Sequence, residues 1–153
     1  MIFLIHGPIG CGKSTAVREW LAEHPHPCPR GYYTYFEGGV RGASRLCLAS
    51  WDGRISLTIA RRLSEVRHAR DAINDGTPPY GLDGRRFWRA VRACVAGDPV
   101  RPLIIDELGL LETRHRPGVR FLKEAVEQAD TALLVVQDRA LSFWSTAISA
   151  LRS

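Results

Sequence analysis

The 153 residues fit one domain, long enough to bury roughly 70% of the surface its unfolded chain would expose. At 45% hydrophobic and 24% charged, the composition lies outside the ranges of disordered and membrane chains. The net charge of +5 comes from 19 Arg and only 2 Lys. These arginines run along the whole chain and no recognisable nucleic-acid module accompanies them, so a solvated basic surface is expected in place of a nucleic-acid site.

The opening Met1-Ile2-Phe3-Leu4-Ile5 is too short for a signal-peptide core, and no apolar run approaches the ~20 residues of a membrane helix. A cytoplasmic protein is therefore expected. Residues 2–6 read as a central parallel strand running straight into Gly7. Ala16, Val17, Trp20 and Leu21 then fall on one face of a helix that Pro25 stops. Tyr32 to Phe36 is rich in strand formers, and Ser44 to Ser50 pairs back on it as a hairpin beyond Gly38-Gly39. Ile59, Leu63, Val66 and Ile73 keep mostly helical spacing, and the run from Asn74 to Pro79 is a loop. Phe87, Val91, Cys94 and Val95 form a helical stripe closed by Gly97. Leu103-Ile104-Ile105 and Thr131 to Val136 are two further buried strands. A helix marked by Phe121, Leu122, Ala125, Val126 and Ala129 lies between them, and one marked by Leu141, Trp144, Ile148 and Leu151 follows. Strands alternating with helices predict an α/β fold with a mostly parallel sheet covered on both faces and a ligand crevice at the carboxyl ends of the strands. Gly7 and Asp106 both stand at such ends.

Gly7-Pro8-Ile9-Gly10-Cys11-Gly12-Lys13-Ser14 matches G-x-x-x-x-G-K-[ST] in full, between a predicted strand and a predicted helix. Glycines let successive backbone N–H groups turn inward toward phosphate oxygens, and the positive end of the following helix adds to them. Lys13 is a mobile cation for the β- and γ-phosphates of a nucleoside triphosphate such as ATP or GTP, and the Ser14 hydroxyl suits Mg2+. Thr15 supports the helix start. Asp106 ends an apolar strand, where a carboxylate can hold magnesium through its water shell opposite Ser14. Glu107, directly after it, is placed to orient or deprotonate an attacking water. Arg114, Arg116 and Arg139 are candidate phosphate contacts, with no ground for choosing among them. The four cysteines, Cys11, Cys28, Cys47 and Cys94, have no metal spacing and are expected to stay reduced and to pack in the core.

The phosphate loop, Gly31-Tyr32-Tyr33-Thr34, Asp52-Gly53 and the run Ile104-Ile105-Asp106-Glu107-Leu108-Gly109-Leu110-Leu111-Glu112 together resemble the nucleoside-triphosphatase family related to the P-loop kinases. The likeness covers residues 2 to about 137. It implies a kinase-like three-layer α/β/α fold, with a β-hairpin inserted after the first helix, in a single domain over residues 1–153. It also implies slow, magnesium-dependent hydrolysis of ATP, GTP and other nucleoside triphosphates, with Lys13, Ser14, Asp106 and Glu107 in the roles given above. Two other readings stay open: a small-molecule kinase with an anionic, nucleoside- or nucleotide-like acceptor, and a nucleotide-dependent switch that acts on a protein partner with negligible turnover.

Overall fold

A computed structural model describes residues 1–24, 28–39, 43–62, 72–73 and 80–150. The chain begins with β1 (Ile2–His6), α1 (Lys13–Glu23), β2 (Arg30–Phe36), β3 (Arg45–Ser50) and β4 (Ser56–Arg62). There follow β5 (Ala72–Ile73), β6 (Tyr80–Leu82), α2 (Gly84–Val95), β7 (Leu103–Leu108), α3 (Leu110–Thr113), α4 (Arg116–Gln128), β8 (Ala132–Val136) and α5 (Leu141–Ser149). The chain clusters into two compact units, one of Met1–Gly31 with Val95–Ser153 and the other of Tyr32–Cys94.

In the first unit β8 pairs in parallel with β1 on one side and β7 on the other, with Leu134 opposite both Leu4 and Ile105. All five residues of β8 are buried, as are Leu103, Ile104 and Ile105. This is why both segments read as unbroken apolar runs and not as alternating ones. Leu122, Ala125 and Val126 of α4 and Trp144 and Ile148 of α5 are buried with them. The sheet is thus parallel at its core and flanked by helices, as expected. One placement differs. β1, expected to be central, stands at the end of the described strand order, and Phe3 is 41% exposed. An apolar run signals a strand, but only pairing with distant segments decides its place in the sheet.

Two features lock the start of β2 in this unit. The buried Arg30 guanidinium donates to the carbonyls of Val95 at 2.9 Å and Ala125 at 3.4 Å, and its Nε to that of Arg101 at 3.4 Å. Burial lowers its pKa and the neighbouring Arg101 lowers it further, while Asp98 opposes them. Gly31 adopts φ +113°, and a Cβ there would come within 1.9 Å of the Ile104 carbonyl oxygen. Only glycine lets the two backbones approach so closely.

The second unit is antiparallel. Tyr33 faces Ala49 and Tyr35 faces Cys47 across β2 and β3, β4 pairs with β3, and β6 pairs with both β4 and β5. Tyr32 packs edge-on against Phe87 of α2, ring centroids 6.4 Å apart. Ser56–Arg62 is a strand, which corrects the helix expected from Ile59 onward. Ser56-Leu57-Thr58-Ile59 carries β-branched residues that favour the pleated surface, and they outweigh a four-residue match to helical spacing. Leu63, Val66 and the loop from Asn74 to Pro79 lie outside the described residues. Cys47 and Cys94 are buried, whereas Cys11 and Cys28 are exposed, so core packing holds for only two of the four.

Candidate functional site

The site lies wholly in the first unit, where the carboxyl ends of β1, β8 and β7 come side by side. β1 delivers the chain into the phosphate loop. Gly10 and Gly12 take φ +81° and +93°, conformations that side chains resist, so the loop can present successive amides on one concave side. Helix α1 starts at Lys13 with no side-chain cap at Gly12. The N–H groups of its first turn, including those of Ser14 and Thr15, therefore lack intrahelical acceptors, and the positive end of the helix dipole points into the loop. Pro8, Ile9 and Cys11 are exposed. Gly7 takes φ +150°, a conformation that side chains rarely adopt, which favours glycine at the first position of the motif.

Lys13 folds back on its own loop. Its ammonium donates to the Gly7 carbonyl and, at 2.9 Å, to that of Pro8. The Ser14 hydroxyl donates to Oδ1 of Asp106 at 3.1 Å, across 92 positions of sequence. The two motifs expected to share one crevice are therefore in direct contact. Burial raises the pKa of the Asp106 carboxyl. The Ser14 bond counters this, Glu107 adds to it, and the cations of Arg18 and Lys13 pull the other way. Those causes describe a carboxylate in want of positive charge, and its chemistry and the adjacent hydroxyl fit a hard divalent cation.

Glu107 occupies a β-bulge. Asp106 faces Val135 and Leu108 faces Val136, so Glu107 is the extra residue of the bulge. It takes φ +92°, alone among the described non-glycine residues. A bulge re-aims the side chain it carries, and a backbone held in a sparsely populated region is a mark of sites where orientation matters. The Gln137 amide nitrogen donates to Oε1 of Glu107 at 2.9 Å. Gly109 leaves room for that amide: a Cβ there would lie 2.6 Å from Gln137 Oε1. Glu112 is buried, and its carboxylate accepts from the Gly109 amide at 2.9 Å. It thereby fixes the turn that follows β7.

Gln137 and Asp138 were not singled out by sequence. Asp138 accepts from the Gly7 amide at 3.1 Å, tying the end of β8 to the first residue of the loop. Both follow the third apolar run at once, so the rule that found Asp106 at a strand's carboxyl end could have found them too. Arg114, Arg116 and Arg139 are exposed. Arg18, one helical turn after Ser14, is the arginine whose charge reaches Asp106.

No family model matches the chain, and neither does any curated protein. Solved structures do match. THEP1 from the hyperthermophile Aquifex aeolicus superposes with a TM-score of 0.71 at 18% identity, over 99% of this chain and 85% of the other. A human cancer-related nucleoside triphosphatase superposes with a TM-score of 0.67 at 19% identity, over 99% and 84%. Among the described residues no helix is long and apolar enough to cross a membrane. With a parallel sheet core flanked by helices and the phosphate loop at the head of α1, the chain has the P-loop nucleoside-triphosphatase fold.

Proposed function

We propose that the chain is a magnesium-dependent nucleoside-triphosphatase that hydrolyses the γ-phosphate of ATP or GTP. The observation that carries this reading is Glu107, a carboxylate held in a strained bulge by Gln137 and directly following an aspartate bonded to the phosphate-loop serine. A residue with only a surface role needs neither the bulge nor the partner. The name of one structural neighbour, a nucleoside triphosphatase, supports the same reading.

In this mechanism the loop amides and Lys13 bind the β- and γ-phosphates, Lys13 exchanging the carbonyls of Gly7 and Pro8 for phosphate oxygens. Ser14 would hold Mg2+ directly and Asp106 would hold it through the ion's water shell. Their oxygens already stand 3.1 Å apart in a hydrogen bond. When bound there, the ion would supply positive charge to offset that of the phosphates. Glu107 orients a water in line with the γ-phosphorus and accepts its proton as the new P–O bond forms. The bond to the bridging oxygen breaks, and the diphosphate leaves with that oxygen's electrons.

Magnesium-dependent phosphate release from ATP and GTP, measured beside Lys13→Ala and Glu107→Gln, tests this. Lys13→Ala is expected to lose nucleotide binding, and Glu107→Gln to bind nucleotide normally while kcat falls by about 100-fold or more. Equal turnover in Glu107→Gln and wild type would remove Glu107 from the mechanism.

A further inference from the structure

The arginine surplus is not spread evenly. Between Tyr32 and Cys94 eleven arginines stand against six acidic residues, so the second unit carries the whole net charge of +5, while the first has ten of each sign. Within the second unit the charge gathers on α2. Its residues Arg85, Arg86, Arg89 and Arg92 are all exposed, and from Gly84 to Val95 it contains no acidic residue. At about 100° per residue these four fall within roughly 120° of helix surface. The opposite side carries Phe87, Trp88, Val91 and Cys94, all buried. Among the described residues no acidic partner forms an ion pair with Arg85, Arg86 or Arg89, whereas Arg45, Arg54 and Arg120 each have one.

We propose that this arc of α2 docks the phosphate backbone of duplex DNA, independently of base sequence. Guanidinium groups match phosphate in paired hydrogen bonds, and the basic residues of this unit are arginine throughout. Arg85 and Arg89 lie one turn apart, about 6 Å along the helix, and Arg92 about 4.5 Å further. The row is thus about 10.5 Å long, the axial rise of about three phosphates on one strand at about 3.4 Å each. A lipid surface fits less well, because the arc has no exposed large apolar residue to bury among acyl chains. A protein interface would place aromatic or aliphatic anchors at its centre, and α2 keeps its own turned inward. Single strands are held on exposed aromatic rings, which the arc also lacks. Arginine can read guanine edges, but the arc offers no amide or hydroxyl side chain to complete a sequence code or to mark the 2′-hydroxyls of RNA, so phosphate contacts dominate.

The test is fluorescence anisotropy of a labelled duplex DNA of mixed sequence, titrated with the full chain between 50 and 200 mM salt. The three arginines alone contribute about 2.7 to the slope of log affinity on log salt, a loss of roughly 40-fold in affinity over that range. Arg85→Gln/Arg86→Gln/Arg89→Gln is expected to reduce the slope by that amount while phosphate release from ATP is unchanged. Arg85→Lys/Arg86→Lys/Arg89→Lys, which keeps the charge, should retain most of the slope and guards against a fault in folding. Absence of binding at 50 mM salt, or an unchanged slope in the Gln variant, overturns the proposal. Tighter binding to duplex RNA, to single strands or to vesicles of anionic lipid would overturn it equally, by assigning the arc to that partner.

Discussion

Gln137→Ala removes one amide from the site and leaves everything else in place. The lost bond, 2.9 Å long and made to a carboxylate, belongs to a class that contributes about 1.5–3 kcal/mol. If Glu107 must be held at one orientation for water to attack in line, that energy appears in the transition state, and kcat falls by about 10- to 150-fold at 1.36 kcal/mol per decade. KM should stay within about twofold, since Gln137 makes no described bond to the phosphate loop. Gly109→Ala supplies an independent route to the same effect. Gly109 has φ −117°, which alanine adopts without strain, but its new methyl would lie 2.6 Å from Gln137 Oε1 and would push the amide off Glu107. The two variants should therefore share one kinetic signature in steady-state phosphate release from Mg-ATP, and the double variant should be no slower than either alone. A kcat within twofold of wild type in Gln137→Ala, or a rise in KM with kcat kept, would refute the idea that Gln137 orients the catalytic carboxylate.

In magnesium-free buffer Asp106→Asn should raise the melting temperature at neutral pH while abolishing magnesium-dependent turnover. The folded chain holds the Asp106 proton to a higher pH than the unfolded chain does, chiefly through burial. Between the ordinary carboxylate value and the raised one, the native state binds more protons than the unfolded state, so this group's contribution to stability falls as pH rises through that window. Thermal melts against pH should show that slope in wild type and lose it in the variant. Gly31→Ala should destabilise the chain by about 3 kcal/mol or more, measured by urea unfolding, because it combines a strained φ with a collision against the backbone of β7. Iodoacetamide at pH 8 should modify Cys11 and Cys28 and spare Cys47 and Cys94. Both of the latter are buried, and burial, with Asp52 adding to it, pushes the Cys94 thiol up to about 11. Mg-ATP should protect Cys11 alone.

The parts of the site that a sequence can show are those whose chemistry is local. Gly7 to Ser14 supplies its own turn, donors and cation within eight residues, so the pattern and its setting between strand and helix mark it as a candidate site. Asp106 and Glu107 were legible because an apolar run ends on them. What Glu107 does with its backbone was not: the bulge depends on the register of β7 against β8, set by residues some thirty positions later. Gln137 and Asp138 escaped for the same reason, since neither belongs to a pattern and each matters only through what stands beside it in space. The missed strand β4 shows the opposite failure, where a local periodicity was taken for structure although its pairing with β3 decided the outcome.

Lys13 already sits on the carbonyls of Gly7 and Pro8, so under the proposed function loading the loop would be an exchange and not a simple addition. The carbonyl oxygens act as a parking place for the ammonium, and an incoming polyphosphate gains only the difference between its own attraction for the lysine and theirs. A triphosphate, with most charge to offer, would compete best. In the proposed reaction the lysine would return to these carbonyls once the γ-phosphate had left, leaving the loop ready for the next nucleotide.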